Sequence, residues 1–368
     1  MSDYQSTFLK TAGIICLAVF VLSVVVLLPA INAANLFFDA DFYKQALRQQ
    51  DAYARFPKLA SEQIMSALRS GTLSGGQGGQ NPGSLPFVKN MKQSDWETIV
   101  SGLVPTEWLQ TQVEGLIDGF FGYLNSDAPA LEMKLSMAEV KNRVRGEPGW
   151  QAILQVLKAQ PPCDFLDLFD LFFGMLDEGL AGLPSCRPPA DLINEFKPDI
   201  QQALGEMVDG VPDEFDAAAV VQDSLPAGSS LEDLRTGVRG LRALAYLGLL
   251  APLGSLALAT LLVVRSWQDW LVWWGLPLVI GGTAAFLLAL ATPTLATLLI
   301  VNWMVASMPA GLSQGLGLTL SSLSQALFET FATRVALQAV VIAFIGFLMA
   351  GIWLAARAAA EVQRRRLR

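Results

Sequence analysis

Histidine is absent from this chain of 368 residues, so the commonest general base at neutral pH and the commonest metal ligand are both missing. A hydrolase triad that depends on histidine is therefore excluded. Charged residues are also scarce, at 16% of the chain, whereas soluble proteins carry about 25%. Because 52% of the residues are hydrophobic and the mean hydropathy is +0.42, part of the chain must face lipid rather than water.

Basic residues are outnumbered by acidic ones, 25 to 33, which gives a net charge of −8. The acidic excess lies between Asn32 and Leu241, and the rest of the chain is net basic. This division is typical of an acidic soluble domain joined to membrane-embedded segments. Nucleic acid is not expected as a partner, because its binding requires basic patches.

Four apolar runs are long enough for transmembrane helices, which need about 20 apolar residues. The first run has an alternative interpretation as a cleaved signal peptide, but a cut after Ala33 would place the large Ile31 where a small residue is preferred. We therefore favour an uncleaved anchor. The predicted spans are residues 11–31, 241–264, 271–301 and 334–357.

The third run is too long for one straight crossing, since its tryptophans Trp270 and Trp303 would lie about 50 Å apart on a helix. Pro277 and Pro293 are expected to kink or break it, which places the span near 275–298. The tryptophans before it form an expected interfacial cluster, namely Trp267, Trp270, Trp273 and Trp274.

Arginine and lysine near the spans predict the orientation. Lys10, Arg265 and the arginines of the tail fall on one side of a four-span chain, and that side is expected to be cytoplasmic. Residues 1–10 and the basic tail 358–368 are then cytoplasmic, and residues 32–240 form an extracytoplasmic domain of a multi-pass cell-membrane protein. Three arginines before the second span or at its start depart from this rule: Arg235, Arg239 and Arg242.

The large domain is expected to be predominantly helical. Capping boxes are predicted at Ser94 and Ser136, and Ser230 precedes a helix expected to continue into the second span. Residues 131–135 alternate in polarity and suggest a short strand, with residues 213–217 as its partner in one small two-stranded element. Residues 70–86 are rich in glycine and are expected to form a flexible loop, without the lysine and threonine of a phosphate-binding loop.

Cys163 and Cys186 lie in the domain, in the proline-flanked motifs PPC and CRPP. A pair of cysteines in an extracytoplasmic domain predicts a disulfide, with two free thiols as the alternative. A continuous helix between them would hold the cysteines about 30 Å apart, so the segment is expected to fold back at Gly174 or at 179–184. The third cysteine, Cys16, lies in the first span.

Several acidic groups invite a cation-binding interpretation, but none has the oxygen-ligand spacing of a calcium loop. We expect solvated helix faces and turns instead, and we predict no metal ligand, no cofactor and no catalytic residue. The groups considered are Asp164, Asp167 and Asp170; Asp213, Glu214 and Asp216; and Asp39 and Asp41.

The cores of the predicted spans contain no ionisable side chain, and Gln338 is their main strongly polar residue. Because ion-coupled transporters usually hold a charge at membrane depth, transport by this chain alone is not favoured. An oligomeric pore lined by threonines is a weaker alternative: Thr283, Thr292, Thr294 and Thr297.

Residues 302–333 carry leucines at intervals of three and four and predict an extracytoplasmic amphipathic helix. This helix is expected either to lie on the membrane surface or to pack against the large domain.

The layout of one span, a large domain, three closely spaced spans and a basic tail resembles the FtsX/MacB subunits of ABC transporters in topology. Those subunits usually carry a charged amphipathic stretch after the second span for contact with the ATPase, whereas this chain has only RSWQD at 265–269. The segments VPTEWLQTQVEGLIDGFFGYL, LEMKLSMAEVKNRV and WLVWWGLPLVIGG, with the two cysteine motifs, also resemble an uncharacterised bacterial family of four-span membrane proteins. That resemblance implies a helical outer domain and brings no known activity with it.

The leading hypothesis is a non-enzymatic bacterial membrane protein that presents its outer domain for binding, scaffolding or sensing at the cell envelope. Its expected partners are the lipid bilayer and a protein, or a second copy, that contacts the domain. The alternatives are a membrane subunit of an ABC-type or other transport assembly and an unrecognised extracytoplasmic enzyme.

Overall fold

The computed structural model describes residues 2–70, 90–164, 186–226, 228–303 and 313–366. These residues are mostly helical and include one two-stranded sheet. The chain forms two compact units. We call them the membrane unit, residues 1–42, 227–304 and 324–368, and the domain unit, residues 43–226 and 305–323.

The elements follow one another with short connections. The first part of the chain contains α1 Ser2–Leu36, α2 Ala40–Gln49, α3 Ala52–Ser70, α4 Gln93–Leu103, α5 Thr106–Asn125, β1 Lys134–Ser136, α6 Ala138–Arg145 and α7 Glu147–Lys158. The second part contains α8 Ala190–Glu195, α9 Lys197–Asp209, β2 Glu214–Asp216, α10 Ala217–Asp223, α11 Leu231–Gly248, α12 Leu250–Val263, α13 Trp267–Ala296, a π-helix at Thr297–Val301 and α14 Gln314–Arg366.

Among the described residues, four helical stretches are long and apolar enough to cross a membrane, as predicted, and they indicate membrane insertion. They are Phe8–Leu36, Leu231–Val263, Trp267–Leu299 and Gly315–Arg366. The expected break in the third span is absent, because α13 continues through Pro277 and Pro293 before the π-helix begins. Prolines are tolerated in membrane helices because neighbouring groups satisfy the freed carbonyls. Residues 314–333 of the predicted amphipathic helix and the fourth span belong to one helix, α14, whereas residues 304–312 lie outside the described residues.

Glycines allow α13 and α14 to approach closely in the membrane unit. A Cβ atom on Gly282 would lie 2.6 Å from the backbone nitrogen of Ala343, and one on Gly346 would lie 2.6 Å from that of Val279. No real side chain tolerates these distances. Membrane helices associate through close packing of this kind, because lipid tails supply no hydrophobic force between them.

The carboxyl end of α1 is capped by an arginine of α11. The Arg242 guanidinium donates hydrogen bonds to the carbonyl oxygens of Ala34 at 3.1 Å and Phe38 at 3.2 Å. A cation at this position stabilises the negative end of the helix dipole. One of the three arginines that depart from the orientation rule therefore has a structural role at the end of the first span.

A reciprocal pair of amides joins α1 to α14. Asn32 Nδ2 donates to Gln338 Oε1 at 2.7 Å, and Gln338 Nε2 donates to Asn32 Oδ1 at 3.3 Å. Asn32 also donates to the carbonyl of Leu28 at 2.8 Å and is buried. The polar residue singled out in the fourth span thus binds the first span.

The two strands pair as predicted and are antiparallel, with Leu135 opposite Phe215, but the first strand is Lys134–Ser136 rather than residues 131–135. The neighbouring capping predictions need correction. Helix α6 begins after Met137 without a side-chain cap, and α4 begins at Gln93, where Asp95 accepts a hydrogen bond from the Lys92 backbone at 2.7 Å. The capping box at Ser230 is confirmed.

The segment before the fourth span belongs in part to the domain unit. The backbone N–H of Ser313 donates to Gln63 Oε1 in α3 at 2.8 Å. Of the two arrangements expected for the amphipathic helix, this contact favours packing against the domain.

Candidate binding pocket beside the disulfide

Cys163 and Cys186 are joined by a disulfide with Cα atoms 4.7 Å apart. The backbone on either side of the bond is also paired. The N–H of Cys163 donates to the carbonyl of Arg187 at 3.1 Å, and the N–H of Arg187 donates to the carbonyl of Pro161 at 2.6 Å. The turn expected between the cysteines lies outside the described residues. The disulfide and these hydrogen bonds hold residues 161–163 and 186–187 in one fixed arrangement.

The prolines explain why the pairing stops there. Pro161, Pro162, Pro188 and Pro189 have no N–H to donate, so the bridge cannot lengthen into a sheet. Pro189 lies at the amino end of α8 in an extended conformation, with φ −57° and ψ 144°. The motif CRPP therefore leads from the disulfide directly into that helix.

A packed core supports the neighbouring helices. Trp150, Ile153 and Leu157 of α7 pack with Ile200 and Leu204 of α9. Gly149 permits the tight approach of α6 to α7, since a Cβ atom there would lie 1.8 Å from the carbonyl oxygen of Val144. Any site on α7 therefore lies on a packed core.

A pocket of about 530 Å³ lies between the end of α7, the disulfide bridge and α8. Small-molecule sites usually measure about 300–1,000 Å³, so this volume is sufficient for a ligand. Apolar side chains and prolines make up most of the lining. Leu157 belongs to the core, and Leu154 and Ile193 pack against it. The lining residues are Leu154, Leu157, Lys158, Pro162, Cys163, Arg187, Pro188, Pro189, Ala190, Ile193 and Asn194.

The polar groups of this lining favour an anion. Lys158 and Arg187 supply two cations, Asn194 supplies an amide, and the described lining includes no carboxylate. The pocket is therefore locally basic in an acidic domain. Arg187 is suited to a carboxylate, because its planar guanidinium donates in parallel to both oxygens. The described lining can bind and orient such a group, but it contains no nucleophile paired with a general base.

Comparison with known proteins gives no guide to this site. No protein-family model, curated protein or solved structure matches the chain. Its function must be inferred from its own residues.

The acidic residues considered as cation ligands at and just before the second strand have protein partners. Asp213 pairs with Lys141, Glu214 with Lys134 at 3.3 Å, and Asp216 accepts a hydrogen bond from the backbone of α10. The hydrogen bond from Lys141 lowers the pKa of Asp213. These carboxylates stabilise the sheet and its flanking helices.

The other acidic groups also have assignable positions. Asp39 lies just before α2 and accepts a hydrogen bond at 3.0 Å from the backbone N–H of Asp41, which lies in the first turn of that helix. Asp164 lies beside the disulfide, whereas Asp167 and Asp170 lie outside the described residues.

The threonines of the pore hypothesis were expected to face a channel, but two of them bind their own helix. Thr292 donates to the carbonyl of Leu288 at 2.9 Å, and Thr297 donates to that of Pro293 at 2.8 Å. These hydroxyls are satisfied without water in a pore.

A polar cluster that the sequence analysis missed joins α2 to α5. Lys44 pairs with Asp118 at 2.7 Å, and Arg48 pairs with Glu114. The hydrogen bond from Arg48 lowers the pKa of Glu114. The pKa of the nearby Tyr53 is raised to about 12, mainly by burial and secondly by the negative charge of Glu114. The signal was the spacing of four in each helix, which puts two cations on one face and two anions on another.

Proposed function

We propose that this protein is a non-enzymatic component of the bacterial cell envelope that binds an anionic ligand with an apolar body through its extracytoplasmic domain. The membrane helices anchor it in the cell membrane with both termini in the cytoplasm. The observation that carries the proposal is the pocket beside the disulfide, with two cations on an apolar lining. The disulfide supports an extracytoplasmic domain, because such bonds persist in oxidising compartments.

The geometry fits a carboxylate with a short hydrocarbon body. The carboxylate would contact Lys158 and Arg187, and the hydrocarbon would lie against Leu154, Leu157 and Ile193. A binding site of this size on a packed core needs little rearrangement to accept a ligand. Binding of this kind suits sensing or capture of a small molecule at the envelope.

Photo-crosslinking with the full-length protein in lipid nanodiscs tests the proposal. The probe is a medium-chain carboxylic acid with a diazirine, and the matched control is the corresponding alcohol. We expect the acid to label peptides from α7 and α8 more strongly than the alcohol, because only the acid pairs with the two cations.

Two variants locate the interaction. Lys158→Gln and Arg187→Gln should each reduce labelling about tenfold, the loss expected for one charge-assisted hydrogen bond. Lys134→Gln removes an exposed cation outside the pocket and should leave labelling unchanged. Equal labelling by acid and alcohol, or equal effects of all three substitutions, would reject this site.

The transport-subunit alternative receives no specific support, since only residues 264–266 separate α12 from α13. Co-purification in mild detergent distinguishes it. A stoichiometric cytoplasmic ATPase would favour a transport assembly over the proposed binding protein.

A further inference from the structure

A groove of about 400 Å³ lies between α13 and α14 within the membrane unit. Its lining is apolar except for one carboxylate and one hydroxyl. The lining residues are Phe286, Ala289, Leu290, Pro293, Glu329, Ala332, Thr333, Ala336, Leu337 and Val340. On α13 the groove lies on the carboxyl-terminal side of the close contact at Gly282. It extends to Pro293, shortly before the π-helix.

Glu329 lies at the end of the groove nearest the start of the fourth span. It precedes the first residues of that apolar run, at Val335, by about 9 Å along the helix axis. A carboxylate at this distance from the apolar core lies at the level of lipid headgroups, where charged groups are tolerated. Gln325 donates a hydrogen bond to its Oε1 at 3.0 Å. Among the described residues, Glu329 forms no ion pair.

The occupant must match both ends of this groove. The apolar part, with Phe286, Leu290 and Val340, suits a lipid acyl chain. The carboxylate of Glu329 suits a cationic headgroup with N–H donors. We propose that the groove binds a phospholipid whose headgroup carries a primary ammonium, with the ammonium on Glu329 and one acyl chain between α13 and α14.

The assignment follows from charge and position together. An anionic lipid would place two negative charges beside each other at Glu329, and like charges repel. A neutral headgroup without donors would leave the carboxylate unpaired. An ammonium supplies both charge and hydrogen bonds, and charge-assisted bonds are about twice as strong as neutral ones. The inference does not depend on the pocket of the domain unit.

Native mass spectrometry of the full-length protein, released from detergent, tests the proposal. The protein is titrated with phosphatidylethanolamine and, separately, with phosphatidylglycerol that carries identical acyl chains. We expect the ethanolamine lipid to bind about tenfold more tightly, because only its headgroup pairs with Glu329. Equal affinities, or tighter binding of the glycerol lipid, would overturn the proposal.

Two substitutions connect the preference to the groove. Glu329→Gln keeps the shape of the side chain and should abolish the preference while leaving weak binding of both lipids. Ala336→Phe fills the groove and should reduce binding of both. The control is Glu361→Gln on the same helix, where the carboxylate pairs with Arg365 and lies outside the groove. Persistence of the preference in Glu329→Gln, or its loss in the control, would contradict the site, and unchanged thermal unfolding of each variant shows that the fold is intact.

Discussion

Removal of either amide of the Asn32–Gln338 pair should weaken the membrane unit unequally. Asn32 is buried, and after Gln338→Ala it still donates to the carbonyl of Leu28. After Asn32→Ala, by contrast, the Gln338 amide loses both of its hydrogen bonds to α1. The Gln338 side chain is exposed, so its amide then faces lipid without a partner on α1. An unpaired amide in hydrocarbon is costly, so Asn32→Ala should be the more destabilising change.

The magnitude follows from the two hydrogen bonds across the helix pair. Measured couplings between membrane helices average about 0.6 kcal/mol and reach about 1.7 kcal/mol. For one bond of 2.7 Å and one of 3.3 Å we expect a coupling of about 1 kcal/mol. The single change at Asn32 should cost about 2 kcal/mol and the change at Gln338 about 1 kcal/mol, and the double variant should cost less than their sum.

Reversible unfolding in mixed micelles of a mild detergent and dodecyl sulfate measures these free energies. Thr330→Val is a matched control on α14, because its hydroxyl binds only its own helix, at the carbonyl of Ala326. It should change the free energy of unfolding by less than about 0.5 kcal/mol. Additive effects of the two amide substitutions, or a larger cost at Gln338 than at Asn32, would refute the reasoning.

Three further predictions concern the domain unit, measured by urea unfolding of the full chain in nanodiscs. Replacing Cys163 and Cys186 by serine should lower the free energy of unfolding by about 3 kcal/mol, because the bond closes a loop with a sequence separation of 23; an unchanged urea midpoint would contradict this. Lys141→Met should cost about 1–2 kcal/mol, since this buried ammonium binds Asp213 and the backbone, whereas Lys134→Met at an exposed pair should cost less than about 0.5 kcal/mol. The hydrogen bond from Lys141 lowers the pKa of Asp213. The stability that ionised Asp213 contributes is therefore fully present above pH 3.8 and is lost as the pH falls through the lowered pKa. Wild type and Asp213→Asn should therefore differ in urea midpoint near neutral pH and converge in acid; a constant difference would reject the assignment.

Local patterns in the sequence predicted the elements that depend on local physics. The apolar runs predicted four membrane-crossing helices, the alternation at 131–135 predicted a strand, and Ser230 predicted a helix start. The expectation at Ser94 failed because Asp95 caps the backbone of Lys92 and the helix begins earlier.

Contacts between distant residues could not be obtained in this way. Asn32 and Gln338 lie 306 positions apart, and no periodicity links them. The cysteine motifs predicted a disulfide, but the pocket beside it also requires α7 and α8 to meet there. Pro277 and Pro293 were expected to kink or break the third span, and the helix continues through both of them without a break, because a membrane helix can satisfy the freed carbonyls through its neighbours.

The central claim is that the domain lies outside the cell membrane while both termini lie inside. Alkaline phosphatase, which is active only where disulfides form, and a fluorescent protein, which matures in the cytoplasm, can each be fused after Arg368 or inserted between Gly75 and Gly83. The claim predicts fluorescence from the tail fusion and phosphatase activity from the insertion in the domain. Both positions reporting the same compartment would contradict it.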